Sequence, residues 1–174
     1  MTGPAGTVPP VTLVLGGTRS GKSAVAERMA TEIAARTASA VTYVATASVY
    51  DDDMAARVAA HQARRPPSWA TVEVHEPGEL PAVLRRARGV VLLDSLGTWV
   101  AAAPEMVVDA GALTAALRAR TGPTVVVSEE VGLAVHPPTA AGRAFTDALG
   151  SLNQAVAGIA GRAVLVVAGR ILEL

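Results

Sequence analysis

A glycine-rich segment near the amino terminus constrains this chain more than any other feature. It lies between the apolar run 11–15 and a helical stretch, and it contains the only lysine of the chain, Lys22. Glycines let backbone N–H groups surround phosphate oxygens, and the start of the following helix adds partial positive charge. The pattern G-x-x-x-x-G-K-[ST] is matched by Gly16, Gly17, Thr18, Arg19, Ser20, Gly21, Lys22 and Ser23. The chain is therefore expected to bind a nucleoside triphosphate.

Two side chains of this loop have separate expected roles. The Lys22 ammonium can bridge the β- and γ-phosphates as a compact point charge, which a planar guanidinium does less well. The Ser23 hydroxyl is placed to ligate Mg²⁺. The alternative is a glycine-rich turn that carries Lys-Ser by chance, and the strand, loop and helix context disfavours it.

Composition excludes several classes of partner. The 15 basic residues balance the 15 acidic ones, which argues against a nucleic-acid or anionic membrane surface. No apolar run approaches the roughly 18 residues of a membrane span. The length of 174 residues predicts a single domain, over 11–174, and the Gly, Pro and Thr content of residues 1–10 predicts a disordered leader. These residues lack the basic and apolar regions of a signal peptide, which together with the nucleotide site favours a cytoplasmic location.

The order of elements predicts an α/β fold with a mostly parallel sheet, because short Val- and Leu-rich runs alternate with helical stretches. Several runs lack polar alternation, so helices should cover both faces of the sheet. The expected strands are 11–15, 40–45, 70–74, 90–94, 123–128 and 163–168, with an edge piece at 171–174. The expected helices are 22–36, 52–64, 78–87, 109–120 and 139–160. The expected irregular loops, which carry ligand sites in such folds, are 46–51, 65–69, 95–108 and 129–138.

Three carboxylates follow buried-type strands. Asp94 could hold Mg²⁺ opposite Ser23, or it could cap the start of a helix. Either Glu129 or Glu130 could act as a base on a substrate hydroxyl or as a metal anchor. Alternatively, both glutamates are solvated loop charges.

The segment 51–66 is the second unusual feature. Three aspartates at its start suit a helix N-terminus, and Arg57, His61, Arg64 and Arg65 follow on one side. The His61 imidazole could attack a phosphorus atom and form a phosphoramidate. From spacing alone, a solvent-exposed basic face is the more common explanation. The later helical run 142–154 is expected to expose its polar residues.

Together these segments closely resemble one enzyme family, the bifunctional adenosylcobinamide kinase/adenosylcobinamide-phosphate guanylyltransferases of cobalamin biosynthesis. The resemblance spans residues 11–174. Besides the glycine-rich loop, the matching segments are Tyr43-Val44-Ala45-Thr46-Ala47, Asp52-Asp53-Met54 with His61, Arg65-Pro66 with Trp69, Leu92-Leu93-Asp94-Ser95-Leu96, Glu130-Val131-Gly132, and Phe145-x-Asp147-x-x-Gly150-x-x-Asn153-Gln154.

The resemblance implies two reactions. In the first, the γ-phosphate of ATP or GTP passes to the aminopropanol hydroxyl of adenosylcobinamide. In the second, GMP passes from GTP to adenosylcobinamide phosphate through a covalent histidine intermediate, which would form at His61. The competing hypotheses are a simple P-loop small-molecule kinase, in which 51–66 is only a lid, and a non-catalytic GTP-binding switch.

The resemblance also implies a RecA-like P-loop NTPase fold, a homotrimer and further site residues. Arg64 and Arg65 would bind phosphates. Residues lining or contacting the nucleotide would be Thr46, Ala47, Ser48, Glu73 and Asp94. Three positions depart from the family pattern, in which Asn is common at Glu129, Gly at Ala134 and Arg at Thr146.

Overall fold

One seven-stranded sheet forms the centre of the protein, in the order β3-β2-β4-β5-β1-β6-β7. The computed structural model describes residues 8–46 and 65–174. All neighbouring strands are parallel except β7, which runs antiparallel to β6 at the edge. The strands are β1 Val11–Gly16, β2 Val41–Ala45, β3 Ala70–Glu73, β4 Val90–Asp94, β5 Thr124–Glu129, β6 Arg162–Val167 and β7 Arg170–Glu173. The mostly parallel sheet predicted from the sequence is confirmed.

Five α-helices accompany the sheet within the described residues. They are α1 Lys22–Thr37, α2 Leu80–Arg86, α3 Leu96–Ala102, α4 Ala110–Ala119 and α5 Ala140–Ala157, with short 3₁₀ turns at Pro77–Glu79 and Pro104–Met106. The helix expected over 52–64 and most of the expected leader lie outside the described residues. None of the described helices is long and apolar enough to span a bilayer.

The assignment of 95–108 as irregular was wrong, because α3 occupies its first half. Seven residues are too few to show a helical period in the sequence. The helix begins with a capping box instead: the Ser95 hydroxyl accepts from the Thr98 amide, and the Thr98 side chain bonds back to the Ser95 amide. Ser95 is thus the N-cap, so the alternative that Asp94 caps this helix is wrong.

Helices cover both faces of the sheet, as expected, and they do so unequally. Along β4, Val90 and Leu92 pack with α1, whereas Val91 and Leu93 pack with the helices of the opposite face. All four are completely buried. The sheet therefore has one core on each face. Among the described helices, only α1 contributes to the core that contains Val90 and Leu92. The buried residues of α1 recur at helical spacing: Val25, Ala26, Met29, Ala30 and Ile33.

Arg120 ties the amino end of the sheet together. Its guanidinium donates to the carbonyls of Leu84 at 2.7 Å, Ala87 at 2.6 Å and Gly89 at 2.8 Å, and its Nε donates to Thr124 Oγ1 at 2.8 Å. These groups belong to the end of α2, the loop before β4 and the start of β5. One side chain therefore satisfies three carbonyls that regular secondary structure leaves without donors.

Replacing Arg120 with Ala should lower the free energy of unfolding by about 2–4 kcal/mol, since charge-assisted hydrogen bonds contribute ~1.5–3 kcal/mol each and are not additive. Urea denaturation followed by circular dichroism measures the loss. Arg118→Ala, at an exposed position two residues away, should stay within about 0.5 kcal/mol of the parent. Equal losses in the two variants would contradict the role given to Arg120.

Candidate nucleotide-binding site

The loop between β1 and α1 has the backbone shape of an anion cradle. Gly21 has φ of 92°, in the left-handed region, and it precedes α1 with no side chain capping the helix. The Gly169 amide donates to the Ser20 carbonyl at 2.8 Å, and the Ser20 amide donates to the Gly17 carbonyl at 3.2 Å. Gly21 supplies no side chain to cap α1, and the Lys22 amide donates to Ser20 Oγ at 3.3 Å. A helix start without an N-cap side chain can accept an anion.

Strand register sets what lies beside this loop. Gly16 pairs with Glu129 on one side and with Val166 on the other. Asp94 lies at the end of β4, two strands away from β1, and pairs with Ala45 of β2. All of these residues lie at or near the carboxyl edge of the sheet, where ligands bind in open α/β folds.

The P-loop lysine faces a carboxylate. Lys22 Nζ lies 3.4 Å from Glu129 Oε1, and the two side chains are only 12% and 26% exposed. The Ser95 hydroxyl lies 3.1 Å from each Glu129 carboxylate oxygen. A Cβ atom on Gly97 would overlap Glu129 Oε2. The sequence therefore brings residues from β5, α1 and the start of α3 together around one ammonium group.

A buried hydroxyl network continues from Ser95 to the end of β2. Thr46 Oγ1 donates to the Ser95 carbonyl at 2.6 Å and accepts from the Ser95 amide at 2.9 Å. It also lies 2.7 Å from Thr98 Oγ1. Thr46 is only 2% exposed, so its hydroxyl holds the end of β2 against the start of α3.

Asp94 and Arg65 meet at Tyr43. The Tyr43 hydroxyl donates to Asp94 Oδ2 at 3.2 Å, and the Arg65 guanidinium stacks over the Tyr43 ring at 3.8 Å from its centroid. Burial of the phenol and then the nearby Asp94 charge raise the pKa of Tyr43 far above its ordinary value, against a smaller opposing effect of Arg65. Tyr43 is therefore a neutral donor that fixes the Asp94 carboxylate.

Comparison with known families shows which family the chain belongs to. The model of a family described as cobinamide kinase / cobinamide phosphate guanyltransferase matches residues 12–174, which is nearly the whole chain. The chain belongs to that family.

Curated relatives agree with the family. The chain is 40% identical over 166 residues to the bifunctional adenosylcobalamin biosynthesis protein CobP of Pseudomonas aeruginosa, covering 90% of this chain and 92% of that protein. It is 34% identical over 177 residues to the corresponding CobU proteins of Escherichia coli and Salmonella typhimurium, covering 90% of this chain and 95% of each.

Two solved structures share the fold at 15% sequence identity. A KaiC-like protein of Pyrococcus horikoshii has a TM-score of 0.52, covering 89% of this chain and 69% of its own. The flagellar accessory protein FlaH of Methanocaldococcus jannaschii has a TM-score of 0.55, covering 97% and 77%. The P-loop NTPase fold expected from the sequence is confirmed.

The predicted site residues of this family member fall into three groups. The described residues Lys22, Asp94 and Glu129 belong to connected clusters at the carboxyl edge of the sheet. Glu73 ends β3 in an exposed position, in register with Ala45. The expected residues Ala47, Ser48, His61 and Arg64 lie outside the described residues, so their roles stay predictions.

The two adjacent glutamates have different surroundings. Glu129 extends toward the P-loop, as described above. Glu130 Oε1 accepts from the Gly132 amide at 2.5 Å, within its own exposed loop. The structure thus shows different surroundings for Glu129 and Glu130, which the sequence alone did not distinguish.

The expectation that the polar residues of 142–154 lie on the surface was wrong for Asn153. This side chain is 7% exposed. Its Nδ2 donates to the Glu129 carbonyl at 3.0 Å, and its Oδ1 accepts from Ser128 Oγ at 2.6 Å. A buried amide requires hydrogen-bond partners for both its nitrogen and its oxygen, and these bonds attach Asn153 to the end of β5. A single amide in a helical run does not show in the sequence that it is buried.

Gly16→Ala should reduce triphosphate affinity by at least about tenfold, ~1.4 kcal/mol, because the new Cβ would overlap Ser20 Oγ and lie 2.9 Å from the Val166 carbonyl oxygen. Fluorescent nucleotide titration measures the change. Gly78→Ala is the matched control, since no atom lies within 4 Å of its Cβ position. Unchanged affinity in Gly16→Ala would contradict the phosphate assignment.

Proposed function

We propose that this chain catalyses both reactions named in its family description, on one P-loop site. The first phosphorylates the hydroxyl of adenosylcobinamide with ATP or GTP. The second transfers GMP from GTP to adenosylcobinamide phosphate, releasing pyrophosphate and giving adenosylcobinamide-GDP. The family match across residues 12–174 is the observation that carries this proposal.

The loop geometry supports the nucleotide half of the proposal. Lys22 and the start of α1, whose N-cap Gly21 has no side chain, would bind the β- and γ-phosphates. Arg65, which stacks on the same Tyr43 whose hydroxyl bonds to Asp94, would contact a further phosphate. The electrostatic stabilisation that such cations give to a phosphoryl transition state contributes several kcal/mol in comparable sites.

Mg²⁺ fits the oxygen donors that the site offers. Among the described residues, no group of three or more His, Cys, Asp or Glu side chains could hold a metal by itself. Mg²⁺ commonly takes one or two protein oxygens and completes its shell with water and substrate phosphates. Ser23 and Asp94 would supply those protein oxygens, and the bound ion would offset phosphate charge.

His61 would carry the GMP in the second reaction. A neutral imidazole can attack the α-phosphorus of GTP and expel pyrophosphate, and the resulting phosphoramidate is then attacked by the acceptor phosphate. An unperturbed histidine is largely neutral at physiological pH. The competing kinase-only hypothesis has no role for this residue. A test of His61 therefore distinguishes the bifunctional transferase from a simple kinase.

A homotrimer, which the family resemblance implies, and the cytoplasmic location expected from the sequence complete the proposal. In such an assembly a neighbouring subunit could complete the site. Analytical ultracentrifugation of the intact chain measures the mass directly, and a monomer at the concentrations used for activity would refute the assembly.

GTP labelled at the α-phosphate should become covalently attached to the protein through an acid-labile, alkali-stable bond, as expected of a phosphoramidate. His61→Ala should abolish the label. The controls are His75→Ala and His136→Ala, which remove the other two histidines of the chain, both exposed, and should retain it. Absence of label in active parent protein would leave the kinase-only hypothesis.

Lys22→Ala should abolish triphosphate binding and both reactions, because the P-loop ammonium contacts the nucleotide in each. Lys22→Arg should restore the charge without the compact point-charge geometry, and we expect it to recover only part of the affinity. Isothermal titration with GTP compares the three proteins. Full activity in Lys22→Ala would contradict the assignment.

A further inference from the structure

We propose that Glu129 is a counter-ion of the phosphate-binding loop, which competes with the nucleotide for Lys22 and so lowers the affinity of this chain for triphosphates. The inference rests on the proposed function, because it concerns how strongly that site holds GTP or ATP. It gives Glu129 no part in the chemistry of either reaction.

The ion pair between Lys22 and Glu129 is the contact that carries the inference. Lys22 Nζ lies 3.4 Å from Glu129 Oε1. The lysine of a P-loop reaches the β- and γ-phosphates of the nucleotide, and Lys22 is the only lysine of this chain. The ammonium that should hold the phosphates thus already has an anionic partner. A triphosphate must either share this ammonium with the carboxylate or displace it.

Neighbouring groups hold the carboxylate beside the loop. The Ser95 hydroxyl lies 3.1 Å from each of its oxygens. Oε2 occupies the space that Gly97 leaves open, where a Cβ atom would overlap it. Asn153 Nδ2 donates to the Glu129 main-chain carbonyl at 3.0 Å. The negative charge is therefore fixed at this position by the start of α3 and by α5.

Partial burial makes the charge effective. The side chains of Lys22 and Glu129 are only 12% and 26% exposed, so water screens them less than it screens charges on the open surface. A triphosphate is strongly anionic. Its phosphates and the Glu129 carboxylate therefore repel each other while they compete for one ammonium, and both effects oppose binding.

The carboxylate is a feature of this chain rather than of the shared chemistry. Asn is common at position 129 in the family pattern, and an amide carries no charge. Both reactions therefore proceed without a carboxylate here. What the glutamate adds is a weaker hold on the triphosphate than the same site would have with an amide.

Such a weakening acts on KM more than on kcat. The P-loop lysine contacts the nucleotide before the transfer as well as during it, and a change in binding that is equal in both states alters KM alone. The rate of this enzyme should therefore respond to GTP over a higher concentration range than the rate of a variant without the charge.

Four side chains at position 129 separate charge from shape. Glu and Asp are charged whereas Gln and Asn are neutral, and Glu and Gln share one length whereas Asp and Asn share another. If charge decides, Glu129→Gln and Glu129→Asn should each bind GTP about fivefold more tightly than the parent, ~1 kcal/mol. Glu129→Asp should stay closer to the parent than to either amide. Isothermal titration calorimetry with GTP and Mg²⁺ measures the four dissociation constants.

Three measurements serve as controls. The affinity for GMP, which has neither a β- nor a γ-phosphate, should change much less in Glu129→Gln than the affinity for GTP. Glu32→Gln, which removes an exposed acid of α1, should leave the affinity for GTP unchanged. Added salt should reduce the gain of Glu129→Gln, because the effect is electrostatic.

Three results would overturn the proposal. Equal GTP affinities in the parent and both amide variants would show that the carboxylate does not compete. If Glu129→Gln matches the parent while the Asp and Asn variants change together, side-chain length and packing matter instead. Weaker GTP binding in both amide variants would mean that the carboxylate helps Lys22 to bind phosphate. If Glu129→Gln does not fold, Glu129→Asn against Glu129→Asp gives the same comparison at the shorter length.

Steady-state assays of each reaction distinguish a failure of this inference from a failure of the proposed function. In Glu129→Gln the KM for GTP should fall in both reactions while kcat is retained. A parent that carries out both reactions, with unchanged GTP affinity in the amide variants, would refute only the role of Glu129. A parent that binds GTP without transferring GMP would refute part of the proposed function and would leave the affinity comparison valid.

Discussion

The parallel pairing of β1 with β5 is the constraint on which the site depends. It places Gly16, where the chain turns into the phosphate loop, level with Glu129 at the end of the neighbouring strand. A shift of one residue would exchange the faces of every side chain on β1, and the completely buried Leu13 and Val14 belong to opposite cores. Core packing on the two faces therefore fixes the distance between a lysine and a carboxylate at the edge.

Much of the fold could be predicted because its signals are local. Continuous apolar runs such as the first four residues of β4 identify strands buried on both faces, and the glycine-rich loop identifies the first crossover. The helix α3 was missed because its seven residues are fewer than the window over which a helical period can be recognised, and its start depends on the pairing of Ser95 with Thr98. Capping of this kind is visible in a sequence only when the helix is already known.

Only some residues of the candidate site could be predicted from the sequence, for a different reason. The loop residues and Asp94 could be identified from motif and strand position, whereas Thr46 and Ser95 lie 49 residues apart and bond through hydroxyls with no distinctive spacing. Asn153 likewise reaches Glu129 across 24 residues. Such long-range polar contacts depend on the tertiary arrangement, so a single sequence cannot show that Glu129 is held while Glu130 faces its own loop.

The position of α1 links nucleotide binding to the integrity of the molecule. This helix begins at the phosphate loop and, among the described helices, alone fills one of the two cores. The first turn, where the ligand binds, and the buried Met29 and Ile33 therefore belong to one continuous helix. A cavity created beneath α1 would shift the phosphate-binding amides, and a bound triphosphate would in turn hold that half of the interior together, raising the melting temperature in proportion to the logarithm of ligand concentration above saturation.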